Sequence, residues 1–210
     1  MRMLTLASIL LLAGAGAVLA QTDGIPDLSP SYAYLAYTGP DSPTVLVIPD
    51  GTGARLDQAA LADGTVVDAT ITLVLLDTQE FPIANFPWED IWLQAADGGM
   101  VFCPGGTTPD ANTDILGETR WTLPLRAGGW SLALTQVLVN GEALTSAPGL
   151  ALNVNSPDLN GDLAVDLGDI AIFAGDYFGA YAFRADLHRD GVLNLSDVGA
   201  LAVGFGSRCP

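Results

Sequence analysis

The sequence predicts a mainly β chain, in which an antiparallel β-sandwich is followed by a small all-α module. Three observations predict this class. Half of the 210 residues are hydrophobic and only 15% are charged, which is typical of a folded chain. From about residue 31 to residue 154, short β-type runs alternate with Gly, Pro, Asn and Asp. Beyond residue 155, an acidic loop followed by an apolar helical stripe occurs twice.

Residues 1–20 have the pattern of a secretory signal peptide. Arg2 precedes an apolar run, and the small residues Val18 and Ala20 suit the positions before a signal-peptidase cut. We therefore expect a mature chain that begins near Gln21 and is secreted or held at the cell surface. An uncleaved N-terminal anchor is the alternative. No later apolar run approaches the roughly 18 residues that a membrane span needs, so none is expected after cleavage.

The charge balance restricts the possible partners. The chain has seven Arg, no Lys, twenty Asp and four Glu, which gives a formal net charge of -17. Such a chain repels nucleic acid and anionic membrane surfaces and attracts divalent cations. A zinc site is not expected, because the chain has one His and two Cys. Cys103 and Cys209 could pair with each other in an oxidising compartment or remain free or intermolecular, and the sequence leaves these alternatives open.

The first folded unit is predicted over residues 21–154. Alternation of apolar and polar residues is clear in 70–73 and in 136–139, and the turn dipeptide Asn140-Gly141 follows the second run. The pattern predicts seven strands over Tyr32 to Tyr37, Thr44 to Ile48, Ala69 to Asp77, Ile91 to Gln94, Thr119 to Leu125, Ser131 to Val139 and Leu150 to Val154. Short spacing with no helical pattern between the strands is typical of an antiparallel sandwich.

This unit resembles the bacterial immunoglobulin-like domains of invasin-type surface proteins. The resemblance lies in the strand 69–77 followed by Pro82-Ile83-Ala84-Asn85, in the turn and strand of 113–123, and in Ala127-Gly128-Gly129. It implies an immunoglobulin-like sandwich. The segment 86–92, rich in Pro and Trp, is less typical of that family, and its aromatic residues could serve as core, interface or ligand platform.

The second unit, predicted over residues 155–210, contains two loops of twelve residues whose first residues, Asp158 and Asp186, are 28 positions apart. Oxygen donors at loop positions 1, 3, 5, 7, 9 and 12 surround Ca²⁺ in loops of this kind, with a backbone carbonyl at position 7. The spacing therefore predicts two calcium sites. Their candidate ligands are Asp158, Asn160, Asp162, Ala164, Asp166 and Asp169 in the first loop, and Asp186, His188, Asp190, Val192, Asn194 and Asp197 in the second.

Each loop departs from the pattern at one position. Leu163 stands where the sharp turn normally requires Gly, and His188 stands where an oxygen ligand is expected. Acidic helix N-caps without an ion are the alternative interpretation, and we expect Asp169 and Asp197 to cap the helices in either case. A third acidic run, 110–114, lacks the closing acid and is interpreted as a turn between strands.

An apolar stripe follows each loop at helical spacing: Ile170, Phe173, Ala174 and Tyr177 after the first, and Val198, Leu201, Ala202 and Phe205 after the second. Residues 156–207 as a whole resemble a dockerin module. The resemblance implies calcium binding and attachment to a cohesin-like domain. The hydroxyl-rich pair that often contacts cohesins is replaced by Leu167-Gly168 and Leu195-Ser196, so the chain's own β-unit or a neighbouring subunit is an alternative partner.

The leading hypothesis is a secreted, non-enzymatic calcium-binding protein, whose dockerin-like module mediates attachment or assembly and displays the immunoglobulin-like unit. Candidate contacts are Leu167, Leu195, Phe178 and the Trp-rich segment. The alternative is a module that binds a carbohydrate or another surface ligand, including a polysaccharide, through exposed Trp88, Trp92, Trp121 or Trp130. An enzyme is not expected, because the only histidine lies in a predicted calcium loop and nothing groups the four glutamates.

Overall fold

The computed structural model describes residues 24–210, and the predicted signal peptide, with its cleavage point near Gln21, lies outside them. The described chain is mainly β, as predicted. Its strands are β1 (Tyr32–Leu35), β2 (Thr44–Leu46), β3 (Ala59–Ala60), β4 (Val66–Val67), β5 (Ile71–Val74), β6 (Ile91–Ala95), β7 (Met100–Phe102), β8 (Glu118–Trp121), β9 (Ala127–Gly129), β10 (Thr135–Val139), β11 (Glu142–Ala143) and β12 (Asn153–Asn155). Helices α1 (Leu167–Tyr177) and α2 (Leu195–Gly204) follow them.

The strands form four small sheets, with the orders β1-β5-β8, β11-β10-β6, β12-β2-β3-β4 and β7-β9. The β10–β11 hairpin turns at Asn140-Gly141, where both residues have the positive φ that a tight two-residue hairpin turn requires. The turn signal in the sequence thus predicted the hairpin correctly. The pair β12–β2 is parallel, whereas the other strand pairs are antiparallel. This pair departs from the wholly antiparallel arrangement that we expected.

Each of the seven predicted strands overlaps a strand of the structure, but the strands β3, β4, β7, β9 and β11 were not predicted. The last of these follows the predicted turn and has two residues. Strand β9 consists of Ala127, Gly128 and Gly129, which have little intrinsic preference for β-structure. It is extended because it pairs with β7, and a local pattern cannot show such a long-range pairing.

The buried apolar side chains fall into two clusters. The larger one draws residues from all four sheets and includes Ile71, Leu73, Leu93 and the fully buried Trp121, whose indole N–H donates to the carbonyl of Thr107 at 2.8 Å. The smaller cluster lies in the C-terminal segment and contains Leu159, Val165, Phe173, Ala185, Leu187 and Leu201. One residue of each helix stripe, Phe173 and Leu201, therefore contributes to the second core.

The C-terminal segment is fastened to the β-rich part of the chain. Cys103 forms a disulfide with Cys209, with a Cα–Cα distance of 5.7 Å, which resolves the pairing that the sequence left open. Asn155 at the end of β12 donates to the carbonyls of Phe183 and Asp186, each at 2.8 Å. None of the helices in residues 24–210 is long and apolar enough to cross a membrane.

Candidate metal-binding loops

The two acidic loops have the same backbone conformation. Loop 1 (residues 158–169) has positive φ at its fourth and sixth positions, Gly161 (71°) and Leu163 (68°). Loop 2 (residues 186–197) has positive φ at the equivalent Arg189 (61°) and Gly191 (78°). Leu163 therefore adopts the left-handed conformation of the glycine that it replaces. This conformation costs a residue with a Cβ about 1–2 kcal/mol. Leu163 therefore strains loop 1 but leaves its backbone path unchanged.

The first and last carboxylates of each loop are buried. Asp158, Asp169 and Asp197 are fully buried and Asp186 is 3% exposed. In loop 1, Asp158 Oδ1 accepts from the N–H of Gly161 at 2.9 Å, and its Oδ2 accepts from the N–H of Leu163 at 2.9 Å. A carboxylate is buried only where hydrogen bonds or a cation compensate the lost hydration. Each loop thus surrounds two carboxylates with its own N–H groups.

The closing acids act in the same way in both loops. Asp169 accepts from the N–H groups of Asn160 (3.1 Å) and Asp166 (2.8 Å). The equivalent Asp197 accepts from the N–H groups of His188 and Asn194, both at 2.8 Å. Position 3 is therefore used through its backbone N–H in both loops, and the replacement of Asn by His leaves this hydrogen bond intact.

The helix caps differ from the expectation at two residues. Asp166 and Asn194 are the N-caps of α1 and α2, and their side chains accept from the N–H groups of Gly168 and Ser196, each at 2.7 Å. The prediction that Asp169 and Asp197 would be the N-caps was wrong. These two residues stand at the third helical position and complete a capping box by accepting from the backbone N–H of the cap.

The remaining candidate ligands lie on the outer side of the loops. Asn160 and Asp162 are exposed, and the Asn160 side-chain amide donates to Asp162 Oδ2 at 2.8 Å. Asp162 accepts from the N–H of Ala164 at 3.0 Å. In loop 2, Asp190 accepts from the N–H of Val192 at the same distance. Ala164 also forms an isolated β-bridge with Arg208 near the C-terminus. Within residues 24–210, no three His, Cys, Asp or Glu side chains are grouped so that they could hold a metal ion.

The surroundings of Asp158 in loop 1 disfavour the ionised form of its carboxyl group. Burial and, to a lesser extent, the neighbouring Asp169 charge raise the pKa of Asp158 to about 6, against the backbone hydrogen bonds, which lower it. The ion pairs within residues 24–210 involve none of the loop carboxylates. The donor set of loop 1, which consists of carboxylate, amide and backbone oxygens, has the chemistry that Ca²⁺ prefers. A cation would remove the repulsion between the two buried acids.

Two features near loop 2 have no signal in the sequence. The Tyr181 hydroxyl donates to Asp186 Oδ2 at 2.9 Å, and burial together with this bond raises the pKa of Tyr181. Arg189 extends its guanidinium to the carbonyls of Gln58 (3.2 Å) and Thr44 (3.4 Å) in the β-rich part. From the sequence, an Arg within an acidic loop would be taken for a surface residue. Only the fold shows that its guanidinium contacts the β-rich part of the chain.

Backbone hydrogen bonds connect loop 1 to β9 and to the C-terminal residues. The Gly129 N–H of β9 donates to the carbonyl of Asp158 at 2.8 Å. On the other side, the C-terminal segment adds a short bridge, in which Val165 N–H donates to the carbonyl of Ser207 at 2.8 Å and Gly206 N–H donates to that of Val165 at 2.9 Å. The disulfide at Cys209 ends this bridge.

The third acidic run forms a turn, as interpreted from the sequence. Asp114 Oδ1 accepts from the N–H groups of Leu116 (2.8 Å) and Glu118 (3.0 Å). Asp110 accepts from the backbone N–H and the hydroxyl of Thr122. Both carboxylates therefore fix the local backbone.

Comparison of the chain with protein-family models, with curated proteins and with solved structures finds no match.

Proposed function

We propose that the protein is a secreted calcium-binding protein whose two loops each take up one Ca²⁺. One observation carries this proposal: two loops 28 residues apart have the same left-handed positions and the same pair of buried carboxylates at their first and last residues. N-capping alone requires neither the buried first acid nor the sixth residue in a left-handed conformation. Bound Ca²⁺ would supply the positive charge that the buried acids of loop 1 lack.

The test is calorimetric titration of the chelator-treated mature protein with Ca²⁺. We expect two binding events, one lost in Asp158→Ala and the other lost in Asp186→Ala. Asp41→Ala is the matched control, because Asp41 is an exposed aspartate outside both loops and should leave both events unchanged. Absence of heat in the wild type, with unchanged thermal stability on adding Ca²⁺, would refute the proposal and leave two capped helices.

We further propose that the C-terminal segment attaches the protein to another protein or to a neighbouring subunit, and thereby displays the immunoglobulin-like unit. The support is an apolar groove of about 450 Å³ between α1 and α2. The groove (hereafter the helix groove) is lined by Ile170, Phe173, Ala174, Tyr177, Phe178, Val198, Leu201, Ala202 and Phe205. Next to it in sequence, Leu167 and Leu195 are 73% and 78% exposed. An exposed groove lined by apolar side chains is typical of an interaction site.

The attachment proposal predicts a calcium-dependent surface. Sedimentation velocity of the protein mixed with a cohesin-like domain, and of the protein alone at rising concentration, separates an external partner from self-assembly. We expect a larger species in Ca²⁺ that disappears in Phe178→Asp, because Phe178 is 86% exposed and lines the helix groove. Phe102→Asp is the control, since Phe102 is exposed on β7 outside the groove. A monomer under all conditions would contradict this proposal and leave the calcium proposal untouched.

A further inference from the structure

A cleft of about 240 Å³ lies in the β-rich part of the chain, and none of its lining residues belongs to loop 1 or loop 2. Three segments meet there: the short helical turn Trp88–Asp90, residues 105–110, and residues 123–126. Gly106 lets residues 105–110 pack closely against Arg126, because a Cβ at this position would overlap the carbonyl oxygen and the Cβ of Arg126. The cleft is hereafter called the Trp88 cleft.

An aromatic ring lies at the edge of this cleft. Of the four tryptophans, Trp121 is fully buried, Trp92 and Trp130 are partly buried, and Trp88 is 36% exposed. Its backbone is fixed, since the Trp88 N–H donates to Asn112 Oδ1 at 3.1 Å. A partly exposed indole offers an apolar face to a ligand.

A hydrogen-bond donor and an acceptor line the same cleft. Arg126 Nη2 donates to the carbonyl of Gly105 at 3.2 Å, and within residues 24–210 Arg126 makes no ion pair. Asp110 is exposed, and its carboxylate is held by the hydroxyl of Thr122 at 2.6 Å. The guanidinium provides several donors and the carboxylate accepts from several directions.

We propose that the Trp88 cleft binds one neutral hexopyranose unit of a glycan. An aromatic face packs against the C–H face of a pyranose ring, while charged donors and acceptors pair with its hydroxyl groups, which themselves both donate and accept. The volume is below that of sites for drug-sized ligands and suits a single ring. The net charge of -17 disfavours a polyanionic glycan and leaves a neutral one. This inference does not depend on calcium binding at the loops.

The test is calorimetric titration of the mature protein, in a calcium-containing buffer, with soluble neutral oligosaccharides of glucose, mannose and galactose, beside oligogalacturonate as the anionic probe. We expect at least one neutral oligosaccharide to bind. Its affinity should fall at least tenfold in Trp88→Ala and in Arg126→Ala, and by less in Trp88→Phe. Leu132→Ala is the control, because Leu132 is 56% exposed and lies outside the cleft.

Thermal melts of each variant establish that it is folded, and Trp88→Phe keeps an aromatic ring should the alanine variant be unstable. Binding of none of the neutral oligosaccharides would overturn the inference. So would binding that Trp88→Ala leaves unchanged, or binding of oligogalacturonate alone. The calcium titration of the chelator-treated protein is read separately, so failure at the loops and failure at the cleft are distinguishable.

Discussion

Gly128 of β9 packs directly against the first residue of loop 1. A Cβ added there would overlap Oδ2 of Asp158. The contact requires the glycine, because the Asp158 carboxylate packs against the backbone of the strand. Nothing in the sequence around Ala127-Gly128-Gly129 shows this, since the two residues in contact are 30 positions apart.

We expect Gly128→Ala to weaken the calcium binding of loop 1 and to lower the free energy of unfolding by about 1–3 kcal/mol, the usual cost of an overpacked position. Loop 2 should keep its affinity. Gly175→Ala is the control, because a Cβ at Gly175 of α1 meets nothing within 4 Å and should stabilise the helix by about 0.5–1 kcal/mol. Calorimetry with Ca²⁺ and urea unfolding measure the two effects. Equal loss of affinity at both loops would contradict the explanation.

Asp158 should make the free energy of unfolding of the calcium-free protein depend on pH. Its pKa in the folded chain is raised to about 6 from 3.8, so between these values the folded state binds more protons than the unfolded state. Stability from this residue is therefore present at low pH and is lost as the pH rises through 6. From pH 5 to pH 7.5 the loss is about 1.4 kcal/mol.

The measurement is urea unfolding of the wild type and Asp158→Asn in chelator at pH 5 and pH 7.5. Because Asn does not titrate, the difference between the two proteins isolates the contribution of Asp158. We expect the stability of the wild type relative to the variant to be about 1.4 kcal/mol higher at pH 5 than at pH 7.5. A difference that is the same at both pH values would show that Asp158 titrates normally in the folded chain.

The two loop–helix elements were the most predictable part of the chain. The spacing of oxygen donors and the apolar stripes predicted both loops and both helices, and α1 and α2 begin within the predicted repeats. What the spacing could not show is how each acid is used. Asp166 and Asn194 cap the helices while Asp169 and Asp197 bond back to the caps, because the first helical residue comes three positions earlier than the pattern suggests. Leu163 likewise keeps the left-handed turn against its own preference.

Removal of calcium should loosen these elements more than the sheets. The small core of the C-terminal segment has six buried apolar residues and depends on loops that hold adjacent buried acids. We expect chelation to increase amide hydrogen exchange over residues 158–205, while β5, β6 and β10 in the larger core stay protected. Hydrogen-exchange mass spectrometry with and without Ca²⁺ measures this. Uniform change across all peptides, or no change at all, would count against a structural role for the ion.

At the scale of the whole molecule, strand positions were predictable and strand partners were not. Runs such as 69–77 and 131–139 have the alternation that predicts strands, and β5 and β10 lie within them. The parallel pairing of β12 with β2 joins residues about 110 positions apart, which no local pattern indicates. The same holds for the guanidinium of Arg189, which links loop 2 to β2 by reaching the carbonyl of Thr44. These long-range contacts fix the loops on the sheets.

The disulfide is the covalent part of that attachment, and its removal should affect loop 1 first. Cys209 closes a chain segment with a sequence separation of 106 and ends the bridge in which residues 206–209 pair with loop 1. We expect Cys209→Ser to lower the free energy of unfolding by about 2–4 kcal/mol. Calcium affinity should fall more at loop 1 than at loop 2, because the backbone hydrogen bonds between Val165 and residues 206–207 would lose their covalent anchor.

The comparison of Cys103→Ser, Cys209→Ser and the double variant checks that the bond itself is responsible. All three variants remove the same cross-link. The double variant should therefore be as stable in urea unfolding as the less stable of the two single variants. A further loss in the double variant would mean that the thiols contribute by packing rather than by the bond. Equal calcium affinity at both loops in all three variants would show that the bridge of residues 206–209 holds without its covalent end, and that hydrogen bonds alone keep loop 1 in place.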